Sequence, residues 1–249
     1  MATGYAPVNG LDMYYEEHGQ GSPLVLLHGG VLTVDLSFSS MLPELAKNHR
    51  VIAPEMQGHG HTADIDRPIE VGALADDVVG LLDHLGVERT AVFGFSLGGF
   101  VALQLAMAHP ERVSRAVVAS AQVRPDGVHP DITDPERWAT SERMPGESDF
   151  RETREAYLKV APRPERFEEL LARTSAAAQS FPGWTDDQVR AVAVPTMIVV
   201  GDTDFVTLEH AVEMRELIPD ARLAVLPDTT HQAVTRRPEL VPMIERFLS

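Results

Sequence analysis

Gly94-Phe95-Ser96-Leu97-Gly98 holds a serine between glycines two residues away on either side. A serine hydroxyl is a weak nucleophile at neutral pH. It acts only beside a base, most often a histidine oriented by a carboxylate. Of the 10 histidines, His18, His49, His84 and His109 fall at strand edges or helix ends and read as surface or capping residues. His231 differs: it lies in LPDTTHQAV, just after an apolar run. Two carboxylates, Asp202 and Asp204, end another apolar run in VVGDTDF. Serine, then a carboxylate, then histidine is an order that supports covalent nucleophilic catalysis. The five-residue motif alone arises by chance in roughly one chain of this length in twelve, so its placement must carry the reading.

Those side chains need elements that bring them to one place. Asn9-Gly10 predicts a hairpin turn, with alternating character in the LDMYYEEHG that follows. Residues 23–27, 50–53, 90–93, 115–119, 195–200 and 222–226 are short apolar runs and read as buried strands. Between them, residues 71–86 place Leu74, Val78, Leu81, Leu82 and Leu85 at helical spacing. A helix over 97–108 stops before Pro110, and further helices are expected near 207–217 and 238–248. Alternating strand and helix predicts a mostly parallel sheet covered by helices. Parallel strands end on a common edge, where ligands bind. Ser96, Asp202, Asp204 and His231 all follow strand ends, so all four belong to that edge. The serine motif falls between a strand and a helix. There a tight turn needs glycines, and backbone strain lifts the hydroxyl into open space.

The alternation breaks at residue 122. Residues 122–192 carry no convincing strand but several short helices separated by prolines. Phe167, Leu170, Leu171 and Ala178 form one apolar stripe, and Thr185-Asp186-Asp187-Gln188 is a capping box flanked by Trp184 and Val189. The expected organisation is therefore a core of residues 1–121 and 193–249 with a helical insertion over 122–192.

A chain of 249 residues suits one α/β domain with such an insertion. A formal charge of −16 disfavours nucleic acid and anionic membrane surfaces as partners. The absence of cysteine excludes disulfides, a thiol nucleophile and cysteine-based metal sites. MATGYAPVNG has no signal-peptide pattern, and no apolar run approaches the roughly 20 residues that span a bilayer. A cytoplasmic monomer or homodimer is expected. His59 and His61 have no third ligand at metal-binding spacing, so neither a metal nor a cofactor is expected.

With these residues in place, the sequence resembles the α/β-hydrolase superfamily, in particular its small helical-capped serine hydrolases. The markers are LLHGG (26–30), QGHGHT (57–62), GFSLGG (94–99), AHPERV (108–113), VVGDTDF (199–205) and TTHQAV (229–234). The resemblance implies an eight-stranded sheet with a cap inserted after the sixth strand. It implies Ser96 as nucleophile, His231 as base, and Asp204, three residues after Gly201, as the orienting acid. Asp202 then reads as a turn residue bracing the loop. The backbone N–H groups of Gly30 and Leu97 would form an oxyanion hole, and His28 would brace its loop. Relatives carry Asp where Glu55 stands and Arg-Ser where His61-Thr62 stand, which bears on pocket shape rather than chemistry.

A serine at the elbow disfavours dehalogenase-like and epoxide-hydrolase-like chemistry, which needs a carboxylate nucleophile there. It favours acyl transfer on a small carboxylic ester or lactone. Carbon–carbon bond hydrolases, perhydrolases and some hormone receptors share the fold and triad and are the competing readings. Trp138, Phe150, Tyr157, Phe167, Phe181 and Trp184 are the aromatics available to line a pocket, with Trp138, Tyr157 and Phe181 taken as substrate-binding. Packing between helices is the competing reading for each.

Overall fold

Asn9 and Gly10 both adopt positive φ, +48° and +88°, as a two-residue hairpin turn demands. They join β1 (Ala2–Val8) to β2 (Leu11–His18) in antiparallel register, Val8 opposite Leu11. The computed structural model describes residues 1–249. The other strands are β3 (Ser22–Leu27), β4 (His49–Pro54), β5 (Thr90–Phe95), β6 (Val113–Ala119), β7 (Thr196–Thr203) and β8 (Ala221–Thr230). They form one eight-stranded sheet in the order β1-β2-β4-β3-β5-β6-β7-β8. Strand β2 runs antiparallel to β4, and every pairing from β4 to β8 is parallel. The expected mostly parallel eight-stranded sheet is the one observed.

The helices are α1 (Val34–Phe38), α2 (Leu42–Leu45), α3 (Val71–His84), α4 (Leu97–Ala108), α5 (Pro130–Thr133), α6 (Glu147–Val160), α7 (Phe167–Ser180), α8 (Asp186–Arg190), α9 (Leu208–Leu217) and α10 (Leu240–Leu248). Side chains alternate across a strand, and here both faces are buried. Val25, Leu27, Val92, Val118 and Ile198 pack under α3, α4 and α9. Leu24, Leu26, Phe93, Val117 and Val199 pack with Phe38, Leu45, Ile244 and Phe247 on the opposite side. Double-sided burial is why these strands read as continuous apolar runs. Helix α10 buries Leu240, Ile244 and Phe247, a four-then-three spacing that makes one stripe.

The chain leaves β3 for β4 in one direction and returns to place β5 on the other side of β3. Connections therefore diverge at the C-terminal ends of β3 and β5, opening a crevice there. Between β6 and β7 the chain forms α5 to α8 and short 3-10 turns, with one isolated bridge, Val128 to Val206. Tyr157, Phe167 and Leu170 are the buried centre of this helical segment. Strands β7 and β8 run on to Thr203 and Thr230, past the residue 200 and residue 226 ends expected from apolarity. Their last residues are polar because they form the rim of the site.

Candidate active site

Ser96 sits on the turn between β5 and α4 with φ +52° and ψ −117°, a conformation costing about 1–3 kcal/mol. The flanking glycines make the turn possible. A Cβ on Gly94 would overlap the Gly98 carbonyl, and a Cβ on Gly98 would overlap the Leu27 carbonyl. Of five non-glycine residues at positive φ, three (Val31, Ser96 and Ser120) lie at this strand edge. Stored backbone strain thus concentrates where the chemistry-bearing groups meet.

Those groups are connected. Ser96 Oγ lies 3.1 Å from His231 Nε2, and His231 Nδ1 lies 2.7 Å from Asp204 Oδ1. The imidazole stacks face to face on Phe205, 3.9 Å between centroids and 4° between planes, which holds its ring plane. Asp204 is fully buried. It accepts hydrogen bonds from Ser120 Oγ at 2.6 Å, Phe205 N–H at 2.6 Å and Gly201 N–H at 3.2 Å. Burial alone would raise its pKa. The charge and hydrogen bond of His231, with the Ser120 and Gly201 donors, outweigh burial and hold it below the ordinary carboxylate value.

Asp202 does something else. Its two carboxylate oxygens accept the Asp228 and Thr229 N–H groups, each at 2.9 Å. These backbone bonds keep Asp202 ionised below its usual pKa, and they clamp the turn that delivers His231. Of the two carboxylates at this strand end, only Asp204 reaches the imidazole.

Gly30 and Leu97 face each other: a Cβ built on Gly30 would lie 3.8 Å from Leu97 Cβ. Leu97 opens α4, so its N–H has no carbonyl one turn back, and the Gly30 N–H has no acceptor in the protein. Both residues border the same cavity as Ser96. Neutral His28 positions the Gly30 loop. Its Nδ1–H donates to Gly29 O at 2.8 Å, and its Nε2 accepts Met56 N–H at 2.9 Å. Burial lowers the pKa of His28 and that of neighbouring His59, the latter to about 3.

A cavity of about 630 Å³ opens over Ser96, lined by Gly30, Leu97 and His231 as well, within the usual range for small-ligand sites. Phe181 and Trp184 form its aromatic wall with Phe100, at 4.8–6.2 Å between ring centroids. Trp138 and Tyr157 do not line it. Trp138 is 46% exposed, and Tyr157 is buried against Phe167 at 5.3 Å in the packing of α6 on α7. Neither of these two expected substrate-binding residues therefore borders the cavity over Ser96: Trp138 follows a short 3-10 turn and Tyr157 is used in helix packing. His59 is buried and His61 pairs with buried Glu55 at 2.8 Å, and neither lines this cavity. The departures at 55 and 61 are thus two halves of one contact.

Ser120, Phe205, Val31 and Gln104 escaped sequence reasoning. Ser120 and Phe205 do follow the ends of β6 and β7, and that position is the signal that would have found them. No group of three or more His, Asp or Glu side chains is arranged to hold a metal. No helix is long and apolar enough to cross a membrane.

A family model described as the alpha/beta hydrolase fold matches residues 22–168. A 2-hydroxymuconate semialdehyde hydrolase of Pseudomonas sp. (strain CF600) is 39% identical over 115 residues, 44% of this chain and 40% of that protein. The match to that relative thus spans less than half its length. A non-heme haloperoxidase of Rhodococcus erythropolis is 28% identical over 261 residues, covering 91% of this chain and 92% of the relative. Among solved structures, a hydrolase from Pseudomonas aeruginosa PA01 superimposes with a TM-score of 0.77 at 25% identity, over 99% of this chain and 98% of the other. The family match covers more than half of the sequence, and the sheet order agrees with it: this chain belongs to the alpha/beta hydrolase fold family.

Proposed function

We propose that the protein is a serine hydrolase that cleaves a small, uncharged carboxylic ester or lactone through an acyl-enzyme. The observation that carries this is the continuous contact from Asp204 through His231 to Ser96, open to an apolar cavity beside two unpaired N–H groups. Ser96 Oγ attacks the substrate carbonyl carbon as its proton passes to His231 Nε2. The oxyanion meets the Gly30 and Leu97 N–H groups, each such donor being worth about 10²–10³ in rate. The C–O bond breaks, and His231 returns the proton to the departing alkoxide. Water, deprotonated by the same imidazole, then releases the acid and restores Ser96. Asp204 holds the imidazole with Nε2 free and stabilises its cation.

The names of the relatives span a semialdehyde hydrolase and a haloperoxidase, so the reaction is read from the site. The acidic residue in the lining is Glu70, an exposed carboxylate. Like charges repel, so this wall favours neutral esters and lactones over substrates that carry a carboxylate, as a 2-hydroxymuconate semialdehyde does. Turnover of nitrophenyl esters and lactones of graded chain length tests the reading, with fluorophosphonate labelling of Ser96 as its control. Ser96→Ala is expected to lower kcat by about 10⁶. Wild-type turnover in that variant, or failure to label, would overturn it.

A further inference from the structure

We propose that Gln104 is a substrate-binding residue that selects acyl or alcohol chains bearing a hydrogen-bond acceptor remote from the scissile carbonyl, such as a ketone or ether oxygen. The proposal rests on the reading of the site as an ester or lactone hydrolase and names the substrate class more finely. Leu97, Phe100 and Gln104 all line the cavity. Their spacing of three and four residues puts them on one half-exposed face of α4, running away from Ser96. Eight residues of helix, about 12 Å of rise, separate Gln104 from the serine. The amide therefore reads the far end of the cavity and not the reacting carbonyl.

The amide is held in one orientation. Trp184 Nε1 lies 3.1 Å from Gln104 Oε1. An indole N–H only donates, so the oxygen of the amide must face it. The amide NH₂ is thereby turned away from Trp184 and makes no hydrogen bond to any protein group. Phe100, Phe181 and Trp184 line the same cavity as Gln104. The other hydroxyl groups on the wall with assigned donors spend them locally: Thr174 donates to Leu170 O at 2.8 Å and Ser180 to Ala177 O at 3.3 Å. An oriented amide donor in a largely apolar wall leaves a hydrogen bond unmade when the bound chain is all hydrocarbon. It makes that bond when an acceptor reaches it.

The test separates this proposal from the reaction it rests on. Linear methyl esters are paired with isosteres in which one methylene becomes a keto or ether oxygen, scanned along the chain. Dissociation constants are measured by tryptophan fluorescence in the Ser96→Ala background, where no turnover is needed. At the matching position the oxygenated member is expected to bind roughly tenfold tighter. That ratio is expected to fall to about one in Gln104→Leu. It should also fall in Gln104→Glu, which keeps the acceptor for Trp184 but carries no donor. Equal binding of both members at every position with Gln104 present would overturn the proposal, as would a preference that survives both substitutions. Failure of the acyl-transfer reading would show separately, as absent turnover or labelling of the protein with Ser96 intact.

Discussion

The strand edge and the helical segment above it are held by different kinds of interaction. At the edge, one buried carboxylate, Asp204, collects donors from His231, Ser120 and the backbone of β7 and its loop. The segment over it is tied down at its margins. Arg173 pairs with Asp64, Arg236 pairs with Glu152 at 2.8 Å, and Arg143 donates to the Asp204 carbonyl at 2.7 Å. Inside the cavity the ties are the indole–amide hydrogen bond between Trp184 and Gln104 and the packing of Phe100 against Phe181 and Trp184. The proposed proton transfer would tolerate little displacement, and the residues assigned to it sit on backbone that the sheet fixes. A substrate wall can be rebuilt one side chain at a time, because partly exposed ion pairs and aromatic packing impose less on their neighbours.

The contrast predicts that edge substitutions damage rate and substitutions in the helical segment damage stability or selectivity. The largest effect is expected from Asp204→Asn, a loss of about 10⁴ in kcat with the fold retained by circular dichroism. Asp202→Asn, which loosens only the turn before His231, should cost far less in kcat. The reverse ranking, measured on the same nitrophenyl ester, would exchange the two roles.

Next come the two tryptophans. Trp184 is 8% exposed and Trp138 is 46% exposed. Trp184→Ala is expected to cost about 3–5 kcal/mol in urea unfolding, whereas Trp138→Ala should stay within about 0.5 kcal/mol. Similar losses at both would mean that Trp138 is packed as tightly as Trp184.

The smallest effect is a slope. The folded-state pKa of His59 is depressed to about 3, chiefly by burial and then by His28. As pH falls below about 6.5, the unfolded chain protonates this imidazole while the folded chain does not. Its contribution to stability is full above pH 6.5 and is lost as pH drops towards 3, at about 1.4 kcal/mol per pH unit. Buried His28, shifted in the same direction, steepens the same limb. Urea midpoints between pH 7.5 and 5 should fall, and His59→Gln should flatten the curve. A flat wild-type curve would show that neither imidazole is held neutral.

Much of the edge was legible because its requirements are local. A glycine two residues before and after Ser96 is forced by the turn itself, where any Cβ meets backbone. Apolar runs buried on two faces announce β3, β5, β6 and β7 with no knowledge of their partners. The aromatic wall was harder. Tyr157 and Phe181 look alike in sequence, yet one packs α6 against α7 and the other faces the crevice. Helical phase alone does not say which neighbour a stripe will meet.

The glycines around Ser96 and the alternation of strand with helix were determined by sequence alone, because each is satisfied within a few residues, and the order of serine, carboxylate and histidine was legible because each follows the end of its own apolar run. The tertiary structure decided the rest. Placing β5 beside β3 brings Gly30 next to Leu97, although some 65 residues of chain lie between them. Placing β6 beside β7 sets Ser120 against Asp204. Trp184 turns the Gln104 amide across 80 residues of sequence. Such contacts are chosen by how whole elements pack, and no local pattern encodes that choice.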